Sequence, residues 1–348
     1  MTFIEFFSSP IVQKITAFII WMSTLAATKI IGEKYRLNKK PKLPKAVSIK
    51  KVTIPGELKD VKPRVKKELS GFNEQIDFFV KTLEKKYPKE YLKNLYHNLS
   101  YLTVRKKPKP KLYKGAAAYN TINNTIYITV EDGGSLYHEL FHMASRRDSK
   151  HIGFSQHNGL MFIGDELNEG FTDVLSKRNF EGYRIGYLYY FTIASILEDI
   201  VGPKMTQYYF ESNLLGLIEE LKKYISEEEV MQFLTNLREL GNLTEDDNPD
   251  KKLDNYSYRT VVMLVGKISK FILEIYDSYL KKELQEGRIT YEEYINGLQG
   301  LMRTRVMEPP YINGRMYANP LFTYDMDKGK TVLSSDQEDV SKYQSMGL

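Results

Sequence analysis

The chain of 348 residues contains no cysteine, one tryptophan and five histidines. Without cysteine there are no disulfides and no thiolate ligands, so any bound metal must use histidine, carboxylate or water. The absence of disulfides does not fix the compartment, because a chain of this length can bury a core that needs no covalent cross-link. Histidine is scarce enough that a cluster of it is informative.

Long uncharged runs are also scarce. The only strongly apolar segment covers residues 10–32, and its charge-free core, 15–28, is shorter than the roughly 20 residues that span a bilayer. Snorkelling of Lys14 and Lys29 would extend it to a marginal span. We therefore expect residues 1–32 to be a single membrane anchor. A cleaved signal peptide, which would make the protein secreted, and a buried helix are the alternatives.

The formal net charge of +6 is unevenly distributed along the chain. Lys and Arg crowd residues 29–51, where Glu33 is the only acid, and a second basic cluster covers 105–111. This charge lies in Pro-containing segments without a base-stacking module, so it favours a membrane surface and argues against nucleic acid as a partner. A basic run after the anchor predicts that the rest of the chain is cytoplasmic.

Composition and periodicity divide the chain into four parts: the anchor (1–32), a basic Lys/Pro tether (33–66), a globular domain (67–304) and an irregular tail (305–348). Two β-like runs flank Asn123-Asn124 and predict a hairpin. Ser135 is predicted to cap a helix over about 136–146, residues 148–164 to form a loop, and Asp165 to cap a second helix. Helical periodicity then predicts a lobe over 181–304 with helices at 184–201, 204–225, 227–240, 256–284 and 290–304.

The most informative stretch is His138-Glu139-Leu140-Phe141-His142. Residues four apart lie on one face of a helix, so both imidazoles can bind the same metal ion. This spacing is typical of a zinc site in which the intervening glutamate, Glu139, is the general base of hydrolysis.

Three acids compete for the third ligand position. Glu169 lies in the second predicted helix, with Asp173 one turn later on the same face. Glu166 lies three residues before Glu169 and so near that face. Asp148 follows His142 at the spacing of the third ligand in the metzincin class, but that class needs a glycine for the sharp turn and Ser145 stands there instead.

His138-Glu139-x-x-His142 together with Asn168-Glu169-x-x-x-Asp173 resembles the gluzincin metallopeptidases, the thermolysin-like class. The resemblance covers residues 115–180, the metal core of the predicted domain. It implies an α+β, zincin-like fold: a small mixed sheet with an edge hairpin, then the motif helix, then a mainly helical C-terminal lobe. It also implies Zn²⁺ held by His138, His142 and Glu169, Glu139 as the base, and Asp173 orienting a histidine ligand.

These expectations describe a zinc-dependent peptidase, an endopeptidase, in which Glu139 accepts a proton from a metal-activated water. The predicted edge strand, 116–121, would bind an extended peptide or protein substrate by β-augmentation. The alternative is a non-catalytic, membrane-associated protein that keeps zinc for structure on a degenerate zincin fold. Retention of Glu139 favours the enzyme.

A peptidase of this kind needs one more donor for the oxyanion. The candidates are side chains with a ring N–H or a phenol, namely His151, His157, Tyr183, Tyr187 and Tyr258. We favour His157 as this catalytic residue, because it lies between the two predicted ligand helices.

Overall fold

The computed structural model describes residues 42–56, 58, 67–106, 116–129, 133–158, 161–244, 255–304 and 306, and the backbone of four short C-terminal strands. The predicted membrane anchor lies outside these residues. Within the described part of the chain, no helix is both long and apolar enough to cross a bilayer. The chain divides into two compact units, residues 1–42 with 252–260 and residues 43–251 with 261–348. In the first unit, the hydroxyl of Thr260 donates a hydrogen bond to the carbonyl of Tyr256 at 2.8 Å.

A three-stranded mixed sheet precedes the motif helix in the second unit. Its strands are β1 (Thr103–Lys106), β2 (Ala117–Asn120) and β3 (Thr125–Ile128), in the order β1-β3-β2. β3 pairs parallel with β1 and antiparallel with β2, so β2 lies at one edge. The predicted hairpin is therefore present. Its turn ends at Asn124, whose φ of 53° is a left-handed conformation that asparagine tolerates in turns.

Three helices belong to the same region: α1 (Asn73–Lys86), α2 (Lys93–Leu99) and α3 (Gly133–Ser145), and both α1 and α2 contact α3. α3 carries the motif and contacts both strands of the hairpin as well as α2. Its buried face includes Leu136, Leu140 and Met143 at helical spacing, which explains why the chain folds as a helix here. The helix begins at Gly133, so the prediction of Ser135 as its cap is wrong: Ser135 lies in the first turn.

A four-stranded antiparallel sheet follows α3, in the range 148–164 for which a loop was predicted. Its strands are β4 (Arg146–Asp148), β5 (His151–Ile152), β6 (Ser155–Asn158) and β7 (Met161–Ile163), paired in chain order. These strands are only 2 to 4 residues long, too short to show the alternation that identifies a strand in a sequence.

Helices α4 (Asp165–Asn179) and α5 (Leu188–Val201) pack closely together. α4 follows Gly164, so Asp165 is its first residue and not its cap. Gly170 makes the close packing possible, because a Cβ at this position would lie 2.2 Å from the carbonyl oxygen of Tyr190 in α5. This contact fixes α4, and with it Glu169 and Asp173.

The rest of the lobe consists of α6 (Lys204–Phe210), α7 (Leu214–Leu221), α8 (Glu227–Thr244), α9 (Asn255–Gln285) and α10 (Tyr291–Met302). The single helix predicted over 204–225 is two helices, because the chain turns at Ser212, which has a φ of 55°. The side chain of Asn213 then accepts a hydrogen bond from the N–H of Gly216 and caps α7.

Four short strands occupy part of the range predicted as an irregular tail. β8 (Tyr311–Ile312) pairs antiparallel with β9 (Arg315–Met316), and β10 (Phe322–Asp325) pairs antiparallel with β11 (Lys330–Leu333). The protein is thus a mixed α+β structure in which helices predominate and the sheets are small, and this part of the predicted fold class is confirmed.

Residues 43–56, which fall in the predicted tether, are part of the second unit and form an extended strap with one 3₁₀ turn, Ile49–Lys51. The N–H of Val47 donates to the hydroxyl of Thr235 in α8 at 3.0 Å. Thr53 exchanges two hydrogen bonds with the side chain of Gln156 in β6, at 3.0 and 2.9 Å. This part of the tether therefore belongs to the folded body.

Candidate metal centre

The two histidines of the motif lie one turn apart in α3, and Glu169 faces them from α4. His138 Nε2 is 3.0 Å from His142 Nε2 and 2.9 Å from Glu169 Oε2. His142 Nε2 is 3.3 Å from Glu169 Oε1. Among the residues the structure describes, these three side chains form a group of potential metal ligands whose atoms all lie within 4.8 Å of one another. The side chains predicted as ligands are therefore brought together.

The spacing of these atoms suits a single small cation. Two nitrogen ligands about 2.0–2.1 Å from a tetrahedral ion lie about 3.3 Å apart. The two Nε2 atoms are 3.0 Å apart, and both histidines are buried. Two imidazoles and one carboxylate are donors that zinc and related divalent ions accept. The group can hold a metal ion.

The electrostatics of the three side chains are mutually dependent. Burial alone would raise the pKa of Glu169, but the neighbouring His142 and His138 outweigh it and hold that pKa well below its usual range. Burial alone would lower the pKa of His138, but hydrogen bonds to Asp173 and Glu169 outweigh it and the pKa lies well above its usual value. The site therefore attracts positive charge, which a metal ion supplies as well as a proton does.

Asp173 meets the other ring nitrogen of His138. Its Oδ1 lies 3.0 Å from His138 Nδ1 and accepts a hydrogen bond from the hydroxyl of Tyr183. An imidazole that binds metal through Nε2 carries its proton on Nδ1, so a carboxylate here fixes both the tautomer and the orientation of the ring. This is the position predicted for Asp173.

Asn168 is a polar neighbour of His142. The side-chain amide of Asn168 lies 3.2 Å from His142 Nδ1, and its oxygen accepts a hydrogen bond from the N–H of Phe154 at 3.1 Å. Asn168 therefore lies between the ring of His142 and the backbone that joins β5 to β6. Asn168 is part of the sequence motif, but no role was predicted for it. The position of Asn168 directly before the predicted ligand Glu169 was the one feature of the sequence that could have indicated a role.

Glu139 lies between the two histidines, at the edge of the three-stranded sheet. Burial raises the pKa of its carboxyl group, while the adjacent His138 and His142 and a hydrogen bond from the backbone N–H of Tyr119 act in the opposite direction. The net effect is a raised pKa, as expected for a carboxylate that takes up a proton during a reaction. Glu139 thus lies beside the potential metal ligands, where the sequence predicts a general base.

Two clefts meet at Glu139. The larger, of about 830 Å³, lies beside His138 and has the aromatic residues Tyr137, Phe180, Tyr183 and Tyr187 in its walls. The smaller, of about 350 Å³, lies beside His142 and Glu169. Glu139, Ala117 and Tyr187 line both of them. Space is therefore available on both sides of the metal ligands.

The two rival third ligands have other neighbours. Asp148 lies in β4 and pairs with His151, whose Nδ1 is 2.9 Å from the carboxylate. Glu166 lies one turn before Glu169 in α4 and is buried. It packs against Gly241 in α8, because a Cβ added at Gly241 would lie 2.1 Å from Oε1 of Glu166. Neither acid belongs to the group formed by His138, His142 and Glu169.

His157 lies in β6 and lines the smaller cleft together with Glu139 and His142. Its Nε2 is 3.0 Å from the hydroxyl of Ser155. Its role as the oxyanion donor stays a prediction. Tyr187 is a second candidate on geometry: it lines both clefts, is 40% exposed, and its ring centroid is 5.9 Å from that of His138.

A comparison of the chain with protein-family models, with curated proteins and with solved structures finds no match in any of the three. The class of this protein rests on the site alone: a mixed α+β chain with a buried His-His-Glu group that can bind a metal ion, and a glutamate beside it.

Proposed function

We propose that the protein is a zinc-dependent peptidase. The observation that carries this proposal is the position of Glu139, a carboxylate in the same helix turn as two buried imidazoles and at the junction of two clefts. A zinc ion that only stabilises a fold has four protein ligands and needs no base beside it. Three protein ligands leave one position open for a reactant.

The arrangement of elements supports a zincin-like fold of the gluzincin type. A sheet edge lies beside the motif helix α3, and a second helix, α4, supplies the carboxylate ligand and an acid one turn later. This is the arrangement that the resemblance to gluzincins implies. The same arrangement supports zinc as the metal that the site binds.

The free edge of β2 suits an extended peptide. The carbonyl of Ala116 accepts a hydrogen bond from the N–H of Thr129, so the backbone of Ala116 faces β3. Residues alternate along a strand, so the N–H and C=O groups of Ala117 and Tyr119 point to the outer edge of β2. The N–H of Tyr119 faces the carboxylate of Glu139 at that edge. A substrate strand paired with Ala117 would bring its backbone beside the metal ligands.

In the proposed reaction, a bound zinc would supply a Lewis acid that polarises the scissile carbonyl and makes water a stronger acid. Glu139 accepts the proton of the attacking water and passes it to the leaving amine. Asp173 holds the ring of His138. Because the clefts extend to both sides of Glu139, the geometry favours cleavage inside a peptide over removal of a terminal residue.

The decisive experiment compares the wild type with Glu139→Gln on a peptide library, with zinc content measured in both proteins. Glu139→Gln should keep about one zinc per chain and lose about a hundredfold to ten-thousandfold in cleavage rate. Glu274→Gln, which removes an exposed carboxylate in α9, is the matched control and should retain activity. A wild-type chain that binds zinc tightly and cleaves no peptide would favour the structural-zinc alternative.

A further inference from the structure

Asp173 joins the motif helix to the segment that connects α4 with α5, residues 180–187, which we call the cleft loop. The carboxylate is fully buried. Its Oδ2 accepts hydrogen bonds from the backbone N–H groups of Gly186 at 2.9 Å and Tyr187 at 2.7 Å. Its Oδ1 accepts one from the hydroxyl of Tyr183 and lies 3.0 Å from His138 Nδ1. One side chain therefore contacts both a metal ligand and three residues of a cleft wall.

Tyr183 completes this arrangement from the cleft loop. Its hydroxyl oxygen also lies 2.9 Å from His138 Nδ1, so this ring nitrogen faces two oxygens. The two amide N–H groups hold Oδ2 of Asp173, and the hydroxyl of Tyr183 holds Oδ1. Together these three donors fix the orientation of the Asp173 carboxylate. The orientation of the carboxylate in turn fixes the ring of His138, because the ring must point its Nδ1–H at the acceptor oxygen.

The position of the Tyr183 hydroxyl distinguishes this residue from a substrate donor. Tyr183 is 7% exposed, and its hydroxyl is directed to Asp173 and His138 rather than into open space. Tyr187, on the same loop, is 40% exposed. The two tyrosines thus face different neighbours, although both line the larger cleft.

We propose that Tyr183 is a positioning residue of the metal centre, which fixes the ring of His138 through Asp173 and couples the cleft loop to metal binding. The inference rests on the metal site of the proposed function but not on its hydrolytic step. A metal ion that holds the ring of His138 also holds Asp173, and Asp173 holds the amides of Gly186 and Tyr187. By reciprocity, a change in the cleft loop changes the metal affinity.

The first test removes the hydroxyl with Tyr183→Phe. Its matched control is Tyr189→Phe, which removes a buried hydroxyl in α5. Competition with a chromogenic chelator should show zinc binding about tenfold weaker in Tyr183→Phe, since loss of an outer partner of a ligand costs about tenfold to a hundredfold. The visible spectrum of the Co²⁺-loaded protein should shift in Tyr183→Phe alone, because the spectrum reports ligand geometry rather than stability.

Wild-type zinc affinity together with an unchanged Co²⁺ spectrum in Tyr183→Phe would overturn the inference and leave the proposed function standing. A wild-type chain that binds neither Zn²⁺ nor Co²⁺ would overturn both.

The second test uses the wild type and so does not depend on a variant that folds. Hydrogen exchange is measured with and without zinc in peptides that cover 180–187 and, as an internal control, 291–302. Exchange in the cleft loop should slow by about tenfold when zinc binds, while α10 stays unchanged. Equal exchange of the cleft loop in both states, in a chain shown to bind zinc, would overturn the coupling.

Discussion

The backbone N–H of Tyr119 faces the carboxylate of Glu139 and acts to lower its pKa. The edge strand β2 and the proposed base are therefore neighbours before any substrate arrives. A peptide that pairs with β2 would meet Glu139 at a position set by the register of the strand and not by a mobile loop. The outer edge of β2 can be tested separately from the base.

Ala117→Pro should weaken substrate binding without disturbing the metal. Proline removes the N–H that Ala117 presents to the outer edge, and an edge strand tolerates this change. We expect kcat/KM for peptides to fall about tenfold, mainly through KM, with zinc content unchanged. Ala118→Pro is the contrasting variant, because it removes an N–H that faces β3 and should destabilise the hairpin. Unchanged KM in Ala117→Pro would argue against binding at this edge.

Glu169→Gln should abolish tight metal binding, whereas Asp148→Asn and Glu166→Gln should retain it. Only Glu169 among these acids lies within reach of both imidazoles. Its loss removes a direct ligand, so the decrease in zinc affinity should exceed the about hundredfold limit for an outer partner. Chelator competition on the three variants measures this. A loss of zinc affinity in Asp148→Asn alone would instead indicate that Asp148 is the third ligand, at the metzincin spacing.

Gly170→Ala should destabilise the protein by about 1–3 kcal/mol. The added methyl group would collide with the carbonyl of Tyr190, which is backbone and cannot rotate away. Gly300→Ala in α10 is the control, because no atom lies within 4 Å of the new Cβ, and it should be neutral or stabilising by up to about 1 kcal/mol. Urea unfolding of both variants measures the difference. Similar free energies of unfolding for the two would refute the close α4–α5 contact.

The pair formed by Asp148 and His151 predicts a pH dependence. Burial alone would raise the pKa of Asp148, but hydrogen bonds from His151 and the backbone N–H of Lys150 outweigh it and lower the pKa. A lowered pKa in the folded state stabilises the protein above the unfolded pKa of about 3.9, and this stability is lost as the pH falls through the folded value.

The difference in free energy of unfolding between the wild type and Asp148→Asn should therefore be larger at about pH 5 than below about pH 4. Its size should stay below about 1 kcal/mol, because the carboxylate is half exposed and solvent screens it. Urea unfolding at several pH values gives this difference. Growth of the difference on acidification would contradict the pairing.

The parts of the site that sequence analysis predicted are those with local signals. His138 and His142 are one turn apart, Glu169 and Asp173 share a face of the next helix, and the Asn-Asn turn marks the hairpin. Each of these needs only the period of a helix or the chemistry of a turn. The alternation of residues along β2 similarly indicates which backbone groups face outwards.

The parts that were missed depend on contacts between distant segments. The sheet β4–β7 has strands too short to show a period, and the parallel pairing of β1 with β3 has no local signature. Tyr183 reaches His138 across a separation of 45 residues, because the close packing of α4 and α5 brings the cleft loop back over the motif helix. No pattern in a single sequence predicts that the cleft loop lies over the motif helix.

The strap at 43–56 has a practical consequence for the boundary of the folding unit. Composition places that boundary near residue 67, yet Val47 and Val52 are buried and the strap bonds to α8 and β6. A fragment that starts at residue 67 would expose the apolar surface beneath these valines. It would also lose the two hydrogen bonds between the side chain of Gln156 and the backbone of Thr53. The shortest fragment that retains the fold therefore starts at or before residue 43.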